Sequence, residues 1–409
     1  MHWGIVLLAM ILLLFPVFAA EKINMLFIGQ VVPETCPLQL WFDSEPAATY
    51  TMVPTKIHYS MSYEDAKRQV RLYFPRNRAQ TWEYDFFMFV NPYFEPFTPS
   101  QIENLRSAIV EGGSGAFQTL GGITINWAER NDPWLQSTLA MVFPNDPEGA
   151  GIWEENKEGN LPYKVILERD ESLAPVLTAF LPVGIEEVPG YWTICLILPQ
   201  EGATVCVRAV GAYPDVAGAP HPWLLSWEYG EGMTWSVADD LDCPWWCGIY
   251  QPSEQRYGLD ILMNIAHHSL GQPLTQDVVL VNAVRTSFQR YLEMASRLNS
   301  VLDFVEKFGA NTARLLDEIE QVDLDLGAAM DIYLEGRYQD ALDASENAID
   351  GLLSLEDDAI ELKREALIWV YVIEWTTVLG TSMIVGVAIY MLMVRRKLYR
   401  QVGLTRYSS

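Results

Sequence analysis

The sequence predicts an α/β protein: a largely parallel sheet carrying an antiparallel β insertion, followed by an α-helical stalk and one transmembrane helix. Three observations carry this. Short apolar runs alternate with helical stretches as far as Leu120, the pattern from about Asn131 to Gly218 turns to short proline-punctuated strands, and Ile368–Val394 is apolar apart from Glu374.

At the start, Ile5 to Phe18 is apolar and closes with Val17-Phe18-Ala19-Ala20 ahead of Glu21. Small residues there suit signal peptidase, so residues 1–19 read as a signal peptide. Met-His-Trp-Gly, which precedes the run, lacks Lys and Arg, and an uncleaved N-terminal anchor is the alternative. Ile23 to Ile28 then reads as a strand, Tyr63 to Leu72 as a helix and Tyr84 to Val90 as a buried strand, by its unbroken aromatic and aliphatic run. Thr98-Pro99-Ser100-Gln101 supplies an N-cap, a proline at the first helical position and a capping-box glutamine, with Ile102, Leu105 and Ile109 as the apolar stripe. That helix ends at Gly112-Gly113, and the strand Gly115 to Leu120 follows, stopping at Gly121-Gly122.

Within the insertion, which the reading bounds at 131–218, strands are expected at Tyr163 to Glu168, Val176 to Phe180, Tyr191 to Leu198 and Ala203 to Val210. The α/β pattern resumes with strands at Trp223 to Trp227 and Gly232 to Val237 and a helix over Gly258 to Leu270. The α/β ectodomain is therefore assigned to residues 20–275. Residues 276–367 are helical, with breaks at Gly309 and Gly336-Arg337. The stretch Tyr333 to Leu342 looks like the turn of a tetratricopeptide helix pair, but it occurs once, and solenoids need several repeats. A helical hairpin stalk is the reading.

The span at 368–394 is long enough to cross a bilayer, which takes roughly 20 helical residues. Arg395, Arg396, Lys397 and Arg400 follow it and place the tail, 395–409, in the cytoplasm and the ectodomain outside a cell membrane. Glu374 either lies at the outer interface, with the core of the span beginning at Trp375, or meets a cation from a partner helix that approaches closely at Ser382 and Gly386. The partners so implied are the membrane, crossed once, and a membrane protein or a second copy of the chain.

The net charge is −26, and the tail after Val394 is basic. Repulsion from phosphate excludes nucleic acid as a natural partner. Five cysteines, Cys36, Cys195, Cys206, Cys243 and Cys247, sit in a compartment where disulfides persist. Cys195 and Cys206 flank the expected turn Pro199 to Gly202 and suit a cross-strand bond, while Cys243 and Cys247 suit a tight local bridge. A zinc site would need a second pair or histidines at ligand spacing; none is present, and no metal or cofactor is expected.

Four stretches in order resemble the class I glutamine amidotransferase-like superfamily, and within it the membrane-anchored or trehalose-utilisation-like domains. They are Met25 to Gly29, Tyr84 to Val90, Leu105 to Gly122, and Pro222 to Trp245 with Glu228 to Gly232 and Asp239-Asp240-Leu241. The resemblance covers most of residues 21–275 and implies a flavodoxin-like sheet. An active member would carry a cysteine in the sharp turn after the strand that ends before Gly121, activated by a histidine. Phe117 to Gly122 has neither cysteine nor serine, so no catalytic residue is assigned and the domain reads as catalytically degenerate. Ligands of open α/β sheets gather at the carboxyl ends of strands. The binding candidates are therefore Gly29, Gln30, Asn91, Gly121, Gly122, Asp239 and Asp240. A binding or structural module in a cell-surface membrane complex is the expected function, and an extracytoplasmic amidase or hydrolase with a non-standard site is the alternative.

Overall fold

The structure, a computed structural model, describes residues 22–32, 36, 38–55, 61–120, 137–147, 163–167, 175–185, 189–190, 197–210, 220–241 and 256–405. The expected signal peptide, Gly121, Gly122, Cys195, Cys243 and Cys247 lie outside the described residues.

The strands are β1 (Ile23–Gly29), β2 (Ala48–Pro54), β3 (Phe86–Val90), β4 (Gly115–Thr119), β5 (Tyr163–Leu167), β6 (Pro189–Gly190), β7 (Thr204–Val210), β8 (His221–Tyr229) and β9 (Gly232–Val237). They form one sheet in the order β2-β1-β3-β4-β9-β8-β7-β5-β6. The first five of that order are parallel. From β9 onward every pairing is antiparallel. The β-rich strands thus extend the parallel sheet, and the β8–β9 hairpin at Gly230 returns the chain to lie beside β4.

The inner strand β3 is buried along its whole length, which explains its unbroken apolar sequence. Successive side chains of a strand point to opposite faces. Leu26 and Ile28 of β1 and Phe87 and Phe89 of β3 share one core cluster with Val70 and Phe74 of the helix α2 (Tyr63–Tyr73) and its cap, and with Leu105, Ala108 and Ile109 of α4 (Pro99–Val110). Phe27, on the other face, packs its ring against Phe42 of α1 (Leu38–Asp43). The short α3 spans Arg78–Thr81. Thr98 and Gln101 form the expected capping box at the start of α4.

Two expectations for the insertion are corrected. Residues expected as a strand at Val176 to Phe180 begin in a helix, α5 (Pro175–Thr178). A short apolar run does not distinguish the two states, and Pro175 presets the first helical position. The Cys195–Cys206 bridge is also absent: Cys206 is a free, buried thiol. That bridge assumed that the segment before the turn pairs with β7, whereas the neighbours of β7 are β5 and β8. Its thiol instead meets Ser226 Oγ of β8 at 3.2 Å.

After α6 (Gly258–Ser269) come three long helices, α7 (Val278–Glu306), α8 (Ala313–Leu334) and α9 (Tyr338–Thr405). The chain divides into two compact units. One holds the sheet, α7 as far as Gln289, and Ala328–Asp343; the other comprises Arg290–Gly327 and Ala344 onward.

In the first unit, Arg285 of α7 is buried between two carboxylates. Its Nη1 donates to Asp260 of α6 at 2.6 Å and its Nε meets Glu45, from the turn before β2. Asn282 Nδ2 donates to the same Asp260 at 2.7 Å, and the Tyr333 hydroxyl donates to Glu45 at 3.3 Å. This network ties α7 and the end of α8 to the α/β layers.

The second unit is helical. Arg314 of α8 pairs with Asp358 of α9 at 2.8 Å, and the Tyr291 hydroxyl donates to Asp323 at 2.7 Å. The helix α9 contains the one stretch among the described residues that is long and apolar enough to cross a membrane. Its apolar window has a mean hydropathy of 2.0, and none of it is buried.

Candidate functional site

In a parallel sheet the crevice for a ligand opens where consecutive strands depart in opposite directions. Here the chain passes from β1 outward to β2 and then back to β3, on the other side of β1, so that point lies between β1 and β3. Three of the residues selected from sequence stand there: Gly29, Gln30 and Asn91.

Gly29 owes its identity to packing. Its φ is +119°, and a Cβ would stand 2.0 Å from the carbonyl oxygen of Val90. That close approach lets Gln30 N–H donate to the same carbonyl at 2.7 Å. The Gln30 side chain is buried, and its Oε1 accepts from Asn91 Nδ2 at 3.4 Å.

Asn91 is the non-glycine residue with positive φ among the described residues, at +43°. Asparagine tolerates this conformation better than most residues, and such strain gathers at functional sites. Its backbone N–H donates to Thr119 Oγ1 at 2.9 Å, and the Thr119 hydroxyl donates to Asn91 Oδ1 at 3.4 Å. Thr119, which has no evident partner in the sequence, therefore acquires one from the adjacent strand.

Asp239 follows β9 and is buried. It is one strand removed from Asn91 across β4, about 10 Å at ordinary strand spacing. Its Oδ1 accepts the backbone N–H of Asp240 at 2.8 Å. Gln30, Asn91, Thr119 and Asp239 thus mark the carboxyl ends of four adjacent strands, and hydrogen bonds link the first three.

A second polar group lies on β4 and β9. Gln118 and Ser236 are register partners, and Gln118 Nε2 donates to Ser236 Oγ at 2.8 Å. Both side chains also reach Asn145 Oδ1, at 2.5 Å and 2.8 Å. Thr234 Oγ1 donates to the carbonyl of Val142 at 2.8 Å. These residues bind the loop 137–147 to the sheet. Polar side chains at alternate positions of a buried strand, Thr234 and Ser236, were the signal available for them.

Two histidines, His267 and His268, lie at the end of α6. His267 Nδ1 pairs with Gln272 Oε1 at 2.7 Å, and His268 lies edge-on to Trp235. Burial lowers the pKa of both, with Gln272 opposing the shift at His267 and Glu228 at His268. Burial also raises the Cys206 thiol to about 11, so it is protonated and a poor nucleophile at neutral pH.

No protein-family model and no curated protein matches the chain. Among solved structures it is similar to the cytoplasmic protein STM3548 from Salmonella typhimurium, with a TM-score of 0.42 and 15% identity over 60% of this chain and 98% of that one. It is similar to the cytoplasmic protein STM1381 from Salmonella typhimurium LT2 at a TM-score of 0.43 and 15% identity, over 60% of this chain and 99% of that one. Neither likeness bears on activity.

Of the residues selected for membrane contact, Glu374, Ser382 and Gly386 all lie exposed on α9. Ser382 and Gly386 are one turn apart and so share a face.

Proposed function

We propose that the chain is a membrane-anchored binding or structural module on the outer side of a cell membrane, working in a complex with a membrane protein or with a second copy. The observation that carries this is α9, which runs without a break from the packed helical region through Ile368–Val394 to the basic residues Arg395, Arg396 and Lys397. Positive charge there favours a cytoplasmic C-terminus.

The domain it holds is read as flavodoxin-like and as a degenerate relative of the glutamine amidotransferase-like group. The parallel order β2-β1-β3-β4-β9 supports the first part, since it follows the 2-1-3-4-5 arrangement of that fold. The hydrogen bonding of Gln30, Asn91 and Thr119 to one another supports a scaffold or a neutral binding surface over a reaction centre. Co-purification from membranes tests the reading. A second membrane protein or a second copy is expected, and Glu374→Gln is expected to weaken the complex. A chain that purifies alone and monomeric from mild detergent would defeat it.

One observation favours a second reading, an extracytoplasmic amidase or hydrolase: the left-handed Asn91 stands at the crevice itself. Amide or ester hydrolysis by the purified chain, lost in Asp239→Asn or Cys36→Ser, would establish it.

A further inference from the structure

The last turn of α7 and the turn that follows it carry two aromatic rings, Phe304 and Phe308. The rings of Phe304 and Phe308 pack in a tilted pair with centroids 4.9 Å apart, and both remain exposed, at 37% and 45%. Gly309, at φ +80°, reverses the chain directly after them.

The position of this tip along α9 follows from three contacts within the second unit. Arg314 pairs with Asp358, and a Cβ on Gly351 would stand 3.2 Å from Val322 Cγ2, so α8 and α9 run antiparallel. Residue numbers rise along α9 as they fall along α8, which brings the start of α8 level with about residue 359. Independently, Lys363 Nζ lies 5.3 Å from the centre of the Phe304 ring. Lys363 is about 7.5 Å along the helix axis from Ile368, where the apolar run begins. Phe308 lies further toward the tip than Phe304.

Ile368, Trp369, Tyr371, Val372 and Ile373 are all exposed, and tryptophan and tyrosine favour the headgroup level of a bilayer. We infer that the Phe304–Phe308 tip is a second membrane contact, inserting its rings among lipid headgroups beside the entry of α9. This rests on the reading that α9 crosses the membrane. Aromatic side chains gain by leaving water at such an interface. The charges flanking the rings in sequence, Asp303, Glu306 and Lys307, together with Lys363 beside Phe304, are mixed in sign, so the surface fits zwitterionic lipid. A seat here would also fix the helical unit against the bilayer at two points.

The full chain in phosphatidylcholine nanodiscs tests this, with Phe308→p-acetylphenylalanine carrying a nitroxide, so that native cysteines are left alone. The same label at Met383 reports the span. At Leu324, exposed at 63% on α8 and well below the tip, it reports water. The ratio of collision with oxygen to collision with a water-soluble nickel chelate is the readout. It is expected to be several-fold higher at 308 than at 324 and highest at 383. A ratio at 308 equal to that at 324, with 383 in lipid, overturns the tip contact alone. A label at 383 that behaves as if in water overturns the membrane reading, and the tip contact with it. A second variant, Phe304→Ser with the label kept at 308, is expected to lower the ratio at 308 toward that at 324, because the partner ring is lost.

Discussion

Arg285 donates to Asp260 at 2.6 Å, and both side chains are almost entirely removed from solvent. With Glu45 on its other side, one guanidinium stands between two buried carboxyl groups. Burial accordingly raises the pKa of Asp260, and Glu45 adds to the shift, against the opposing pull of Arg285 and Asn282. Removing the cation would leave two uncompensated buried acids. Breaking a buried pair from one side costs about 3–5 kcal/mol. Arg285→Met is therefore expected to lower the denaturation midpoint of the full chain in detergent sharply. Adding Glu45→Gln and Asp260→Asn to that variant should recover part of the loss. Equal instability of the single and triple variants would show that the charges are not what the network depends on.

Asn91 offers a comparison in which strain and hydrogen bonding are separable. At φ +43° a residue with a Cβ pays roughly 1–2 kcal/mol. Asn91→Ala loses the side-chain bonds to Gln30 and Thr119 and keeps the strain, whereas Asn91→Gly loses the bonds and relieves it. Alanine should be the less stable of the two in chemical denaturation. The reverse order would mean that the backbone there is not left-handed.

Gly29 is expected to tolerate no side chain. With the Val90 carbonyl 2.0 Å from the place of a Cβ, Gly29→Ala must force β1 and β3 apart at their carboxyl ends. A loss of more than about 4 kcal/mol, in the exceptional range for a single substitution, is the expected result. Expression with wild-type thermal stability would refute this account of the switch point.

These three sites differ in how far the sequence discloses them. β3, α4 and β4 are legible because FFMFV has no polar interruption and Thr98 to Gln101 spells a capping box. β2 is not: its Ala-Thr-Tyr-Thr-Met-Val-Pro mixes threonine with apolar residues and lacks a clear period, yet without it the switch point cannot be located. Gln30, Asn91 and Asp239 are legible as a set because each follows a strand, and strand ends define the crevice. Their bonds to Thr119 and the bridging role of Asn145 depend on strand order, which no single strand encodes. Glu45 is one acid among many in this chain, and only the packing of α7 against α6 singles it out.

His267 and His268 give the folded chain an acid sensitivity of defined sign. Burial depresses both, so below the ordinary imidazole value of 6.5 the unfolded chain binds protons that the folded one refuses. Stability from this source is intact above about 6.5 and declines as pH falls from there toward the folded values. Replacing both with glutamine should reduce the drop in unfolding free energy between neutral pH and pH about 5. An unchanged pH slope would assign the drop to other groups.

Cys206 provides the last test, and it bears directly on how the insertion is built. The sequence invites a bridge to Cys195, but β7 lies between β5 and β8 and its thiol faces Ser226. A buried thiol whose pKa is raised to about 11 should resist alkylation in the native chain and react once unfolded, without a reductant. Mass spectrometry after maleimide labelling, with and without denaturant and with no reducing agent in either sample, reads this at the peptide that contains Cys206. Native protection followed by full labelling on unfolding fits a free thiol in a packed strand. Labelling of that peptide only after reduction would restore the disulfide, and it would require the segment before Pro199 to pair with β7 in place of one of its present neighbours.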